Sequence, residues 1–261
     1  MKNHKTVTLS LLLIVLIAVA ALAYYVLRPT QANAPSDGPA GSSSAATGTY
    51  TEHTAYADIE AAFATSTPLR QTAGDKANAA AVLRMRQFVD DTIAKFKIDA
   101  NLANLTPADV ETLGLSEDRK YDLQVHYLSS AGPRSVSYIF QIDSYTLGAH
   151  GNTLFRTFTF DLESGKELSL ADLFVPNSPY IEKLSALSRK MLPALVGEYL
   201  DKAMLADGTT ADSKNFEAFF LDGTSFVIIF PPYAVAPYVA GPQTLAIPLA
   251  QLRDILKPEY R

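Results

Sequence analysis

The chain contains no cysteine among its 261 residues. That absence excludes disulfide staples, thiolate metal sites, cysteine nucleophiles and a cysteine-borne lipid anchor. Positive charge is scarce as well. Twenty-two Lys and Arg stand against 27 Asp and Glu, and three of the basic residues (Lys2, Lys5, Arg28) fall in the first 28 positions, which hold no acid. The remainder carries 19 basic and 27 acidic side chains, a net charge of about −8. Neutralising phosphates needs clustered Lys and Arg, so no nucleic-acid partner is expected. GxSxG, HExxH, EF-hand and P-loop patterns are missing, and Gly148-Ala149-His150-Gly151 lacks the strand–GxGxxG–helix setting of a dinucleotide loop. His53, His126 and His150 lie far apart without local partners, and the acid pairs Asp90-Asp91 and Glu117-Asp118 read as solvated faces or helix ends. No catalytic residue, metal ligand or cofactor is therefore assigned, and the chain is expected not to be an enzyme.

What the sequence does have begins at the N-terminus. Val7 to Leu27 is a run of 21 residues without a charge. At about 1.5 Å rise per residue it just spans a hydrocarbon layer of about 30 Å. Tyr24 and Tyr25 stand near one end, where amphipathic rings favour the interface. The basic residues in front place residues 1–6 in the cytoplasm, 7–27 across the membrane as a signal anchor, and everything after Arg28 outside. A secreted protein is the alternative, with cleavage after Ala32-Asn33-Ala34, but the apolar run is longer than a signal peptide needs and Pro35 would follow the cut. Residues 28–48 are rich in Pro, Gly and Ser and read as a flexible linker, reaching about 25 Å as a random coil of about 20 residues.

From Thr49 onward the pattern is globular. Tyr56 to Leu69 reads as a strand or irregular edge. Ala81, Met85, Phe88, Val89, Thr92 and Phe96 recur at helical spacing within a helix from Asp75 to Phe96. Thr106-Pro107 starts a short helix that Gly114 ends. Strands follow at Tyr121–Ser129, Ser135–Thr146 and Thr153–Leu162, the first two joined by a hairpin through Ser129 to Pro133. Ser169 and Asp172 are spaced as a capping box. A helix from Ser178 to Ala203 presents Ile181, Leu184, Leu187, Met191, Leu195 and Tyr199 on one face, with Pro193 expected to kink or split it. Asp222-Gly223 predicts a hairpin turn with positive φ at both residues, between strands Phe216–Leu221 and Thr224–Phe230. A strand at Thr244–Pro248 and a helix at Leu249–Leu256 close the chain. The expected fold is α+β, a mainly antiparallel sheet packed with a few helices.

Two segments stand out as candidate binding residues. In Tyr145 to Asn152, Gly148 and Gly151 flank Ala149-His150 in a strand-to-strand link, which suggests positive φ or a close backbone approach. His150 there either serves a ligand from an exposed position or bonds the loop's own backbone. In Phe230 to Pro242, four prolines make a stiff loop carrying Tyr233, Pro237, Tyr238 and Gly241. Its two tyrosines are either preorganised recognition groups or covers for the end of the sheet.

These segments carry a resemblance. YTLGAHGNTLFRTFTFDLESGKELSLADLF (145–174) and NFEAFFLDGTSFVIIFPPYAVAPYVAGPQTLAIPLAQLRDIL (215–256) resemble the C-terminal extracytoplasmic domain shared by RsiV-type anti-sigma factors and PdaC-type deacetylases, the DUF3298 domain. Residues 146–258 would be that domain, and 49–145 resemble the DUF4163-like domain that precedes it. The family usually has Gly-Gly-Ala-His-Gly, and here Leu147 takes the place of the first glycine. The sigma-binding segment of one group and the catalytic domain of the other are expected to be missing, so neither activity is carried over. What the resemblance implies is the outer module, which in RsiV binds lysozyme. The expectation is a single-pass, membrane-anchored binding module facing the cell envelope, its partner a lysozyme-like protein or peptidoglycan. An accessory subunit of an envelope complex is the first alternative, and a cell-wall-modifying enzyme the second.

Overall fold

The computed structural model describes residues 47–69 and 74–261. The expected cytoplasmic segment, the membrane span at 7–27 and almost all of the linker lie outside the described residues. No helix among the described residues is long and apolar enough to cross a membrane.

Five strands form the first sheet in the order β1 (Thr47–His53), β2 (Ala57–Ala64), β3 (Tyr121–Gly132), β4 (Ser135–Tyr145) and β5 (Asn152–Asp161). Between β2 and β3 the chain makes helix α1 (Gly74–Asp99) and helix α2 (Pro107–Leu113). That crossover returns β3 in the same direction as β2, so the two pair in parallel, Ile59 opposite Leu123, while every other pairing is antiparallel. The sheet is therefore mainly antiparallel, as expected, and mixed only through this one parallel pair. A parallel neighbour needs a crossover of a dozen or more residues, and the helix supplies it. Thr106 and Asp109 form a full capping box at the start of α2, and Gly114 ends it at φ 63°.

Helix α1 lays Ala81, Met85, Val89, Ile93 and Phe96 on one face of the sheet. There they meet Ile59, Leu123, Tyr138, Phe140 and Phe158. The other face has two parts. Toward the β3–β4 turn it packs against a second sheet, β6 (Phe219–Leu221), β7 (Ser225–Phe230) and β8 (Gln243–Pro248), all antiparallel. Ile139, Phe220, Val227 and Ile229 fill the layer between the sheets. Gly132 permits the approach: a Cβ there would lie 2.3 Å from the Cβ of Leu221. Helix α3 (Tyr180–Val196) covers the far side of the second sheet, giving a helix–sheet–sheet–helix stack.

Four local expectations are corrected. The long helix does not run from Ser178 to Ala203. It survives Pro193 and stops at Gly197, whose φ of 61° with ψ of −126° suits glycine alone. A new helix α4 (Lys202–Gly208) starts behind Asp201, which accepts from the amides of Ala203 and Met204. The face of α3 that is buried is Leu184, Ser185, Ser188, Leu192 and Val196, whereas Leu195 and Tyr199 are exposed. Two small serines let the helix sit close, and Ser185 Oγ donates to the carbonyl of Thr209. Third, the β6–β7 turn has Gly223-Thr224 as its central pair, and neither Asp222 nor Gly223 takes a left-handed φ. Asp222 instead accepts from the amides of Thr224 and Ser225, an Asx turn that replaces the expected type I′ geometry. The closing helix α5 is only Leu249–Leu252, after which Leu256 pairs with Phe174.

The β3–β4 hairpin turns on Pro133-Arg134, with Arg134 at φ 54°. Its guanidinium donates to Asp161 Oδ2 at 2.8 Å, and the Tyr260 hydroxyl donates to the same oxygen at 3.1 Å. Ser164 contributes its amide and hydroxyl to Oδ1 at 2.7 and 2.8 Å. The Asp161 side chain is 3% exposed. Burial alone would raise its pKa, but the Arg134, Ser164 and Tyr260 bonds prevail and hold it at about 2. A carboxylate depressed in the folded state stabilises above its unfolded value and loses that contribution as the pH falls through its folded value. Asp161→Asn is thus expected to cost about 2 kcal/mol at pH 7. Denaturant titrations across acidic pH should show the wild-type advantage shrinking between about pH 4 and 2 and vanishing below.

Candidate functional site

The two segments singled out in the sequence meet in space. The 146–151 link joins neighbouring strands of the first sheet, and the loop from Pro231 to Pro242 joins β7 to β8 of the second. His150 stacks on Tyr238 with ring centroids 4.1 Å apart and 27° between planes. Tyr233 lies 5.5 Å from Tyr238 and 6.2 Å from His150, centroid to centroid. His150 Nδ1 donates to the carbonyl of Gly151 at 2.7 Å, so one ring nitrogen bonds the loop's own backbone, as one reading anticipated. The ring nevertheless stays exposed, and its Nε2 stands 3.4 Å from the Tyr233 hydroxyl. The Tyr238 hydroxyl donates to the same Gly151 carbonyl at 2.9 Å. One carbonyl oxygen thereby latches the two loops together across 87 residues of sequence.

The Pro-rich loop divides its labour. Val235 and Ala236 are buried and close the end of the second sheet's core. Tyr233 is 57% exposed and Tyr238 half-buried, so neither ring acts as the plug. Pro237 opens a short 3₁₀ turn, Tyr238–Ala240, which Gly241 ends at φ 66°. Tyr233 itself sits at φ 69°. A bulky residue in that region costs on the order of 1 kcal/mol, and such strain persists only where the surroundings enforce it. The enforcing contact is on α4: a Cβ on Gly208 would fall 1.8 Å from the carbonyl oxygen of Ala234.

In the other loop the left-handed residue is Leu147, at φ 65°, with its side chain against the first core. Neither Gly148 nor Gly151 has a left-handed φ. Gly151 is small because Ser144 O would stand 3.3 Å from its Cβ, whereas a Cβ on Gly148 would meet only the His150 carbonyl oxygen, at 3.8 Å, and none of the three rings. That backbone angle favours glycine, and Leu147 tolerates it by packing inward.

The sequence reading missed an acidic row beside the patch. Asp58, Asp122 and Tyr145 lie side by side on β2, β3 and β4, followed by Glu60, Gln124 and Asp143. Burial first, then the neighbouring Asp58, Glu60 and Asp143, push the Asp122 carboxyl upward against the pull of Gln124. Burial, Tyr233 and Asp143 likewise raise the Tyr238 phenol, so the row reaches the aromatic patch. The signal was present as charged or amide residues two apart in each strand, but only the register aligns them. His53, read as having no local partner, faces Asp58 at 3.1 Å and Glu60 at 3.9 Å. Among the described residues no group of three or more His, Asp and Glu is arranged to hold a metal ion.

Comparison with known proteins fits this geometry. Residues 171–250 match the family described as "Protein of unknown function (DUF3298)". Those residues are similar to a DUF3298 domain. They include α3, the second sheet and the Tyr233–Tyr238 loop, and stop short of His150. Over 136 residues, 52% of its length, the chain is 33% identical to the peptidoglycan-N-acetylmuramic acid deacetylase PdaC of Bacillus subtilis (strain 168). The match spans only 28% of that protein. Among solved structures, a DUF3298 family member from Bacteroides fragilis NCTC 9343 aligns with a TM-score of 0.53 at 19% identity, over 82% of this chain and 94% of that one. A DUF3298 family protein from Pseudomonas aeruginosa PAO1 aligns at 15% identity, with a TM-score of 0.48 over 83% of this chain and 96% of the other. The Bacteroides structure supports the fold, and the resemblance to DUF3298 and PdaC-type proteins stands.

The clamp on the tyrosine loop is open to test. Gly208→Ala is expected to cost about 1–3 kcal/mol through the clash with Ala234. It should also shift the ring resonances of Tyr233, Tyr238 and His150 in NMR spectra. Gly148→Ala, with open space around its Cβ, should leave them in place.

Proposed function

We propose that this chain is a binding module of the bacterial cell envelope, anchored in the membrane through residues 7–27 and recognising its partner with the His150–Tyr233–Tyr238 patch. The observation that carries this reading is the convergence of two sequence-distant loops on an exposed, latched aromatic cluster. Rigid aromatic rings offer contact area at small entropic cost, and rings already stacked lose less on binding. The left-handed Tyr233, held against its own preference, is the kind of strain that accumulates where recognition demands a fixed side chain. The acidic row next to the patch adds a field that speeds encounter with a cationic partner. A lysozyme-like protein has that character, and the resemblance to RsiV-type ectodomains leads to the same candidate. Peptidoglycan is the other, since sugar rings pack on aromatic faces and the relative that covers half of this chain is named for a peptidoglycan activity.

The test is binding to immobilised c-type lysozyme and to purified peptidoglycan at two salt concentrations. Saturable binding to one of them is expected, and for lysozyme it should weaken as salt rises. Tyr233→Ala combined with Tyr238→Ala should reduce the affinity at least about tenfold, equivalent to about 1.4 kcal/mol. The melting temperature should change little, because neither ring belongs to a core. Unchanged affinity in the double variant would remove the patch from the interface. Failure to bind either ligand would withdraw both partners and favour the accessory-subunit reading.

A further inference from the structure

A second surface lies away from the aromatic patch, along the outer edge of β5. That strand ends the five-stranded sheet, so one side of its backbone pairs with β4 and the other has no strand beside it among the described residues. Near its C-terminal end the free side is occupied: Leu168 N–H donates to Thr159 O, and Asp161 N–H to Lys166 O. Because backbone groups alternate sides, Thr153, Phe155 and Thr157 point the same way as Thr159. Thr157 is tied through its hydroxyl, which donates to Glu217 O and accepts from Phe219 N–H. Among the described residues, no hydrogen bond reaches the outward backbone groups of Thr153 and Phe155.

A cavity of about 390 Å³ opens at this edge, with Phe155 and Thr157 on one wall and Lys214, Glu217 and Pro231 on the other. The strand reads TLFRTFTF, mostly β-branched and aromatic, with no proline and with Arg156 as its single charge. Its surroundings carry spare positive charge in an otherwise acidic protein. Arg156 shares Glu167 with Arg84, at 3.8 and 3.3 Å, and Lys214 has no carboxylate partner among the described residues.

We infer that this edge is a strand-addition site for a short extended peptide bearing a free carboxylate. Backbone groups of the peptide pair with Thr153 and Phe155, and its carboxylate lies toward Lys214 and Arg156. A polypeptide satisfies alternating donors and acceptors along one line, which neither a sugar nor a lipid can do. The Thr157–Glu217 bond closes the far end of the edge, and a second copy of β5 would bring another Arg156 there in place of a carboxylate. This inference does not depend on the aromatic patch or on the proposed envelope partner.

The test uses the full chain and the tetrapeptide acetyl-Val-Thr-Val-Ala with a free C-terminus, read by amide hydrogen exchange and calorimetry. Exchange at Thr153 and Phe155 should slow at least about tenfold at saturation. The C-terminal amide of the peptide should bind about threefold or more weakly, and Lys214→Glu should bring the acid down to that level. Phe155→Pro removes an outward N–H without touching the β4 ladder and should abolish binding. If that variant fails to fold, a peptide N-methylated at its central residues tests the same bonds from the ligand side and should not bind. Absence of protection at Thr153 and Phe155 at millimolar peptide overturns the inference. So does protection that grows with the concentration of the chain alone, which would assign the edge to a second copy.

Discussion

Strand β4 is the member on which the molecule hangs, because every residue from Ser135 to Asp143 is buried. Its even-numbered side chains, Tyr138 and Phe140 among them, belong to the core beneath α1, and Ile139 belongs to the layer against the second sheet. A strand dry on both faces must pair whatever polar groups it carries. Ser137 therefore bonds Thr159 at 2.9 Å, and Gln141 donates to Asp143 at 2.8 Å. Thr153 supplies Asp143 with its second donor. Of the fully buried side-chain polar atoms in this strand, the Ser135 hydroxyl alone has no partner among the described residues. The same strand leads into the His150 link and receives the Arg134 turn, so the core, the buried ion pair and the aromatic patch share one support.

The sequence made much of this architecture legible where a local rule has a strong physical cause. Capping at Thr106 and Ser169, the periodicity of α1 and the three long strands all follow from short-range geometry, and they lie close to where the pattern placed them. What failed needed tertiary information. The buried face of α3 rotated toward Ser185 and Ser188 because small residues allow close approach, and hydrophobicity alone points to Leu195 and Tyr199. The break at Gly197 in place of Pro193 reflects a backbone angle, which periodicity does not encode. Parallel pairing of β2 with β3 depends on where a 26-residue helix returns the chain.

For the candidate site the division is similar. Unusual composition drew notice to His150, Tyr233 and Tyr238 separately, since glycines around a histidine and prolines around tyrosines are conspicuous in one dimension. Their meeting was not readable, and neither was the acidic row, whose members are neighbours only through strand register. Gly208 shows the same limit from the other side. Nothing in its sequence surroundings distinguishes it, yet the position of the Tyr233 loop depends on its missing side chain.

The latch at the Gly151 carbonyl has one more consequence. His150 rides on the first sheet and both tyrosines on the second, so the patch exists only while the two sheets are docked. A chain whose secondary structure has formed but whose layers have not closed cannot display it. Recognition by this surface would therefore serve as proofreading of the finished tertiary structure, with the ligand reporting on assembly as well as on itself. By mass action, any molecule that grips all three rings also staples the layers together, adding RT ln(1 + [L]/Kd) to the stability of the closed form.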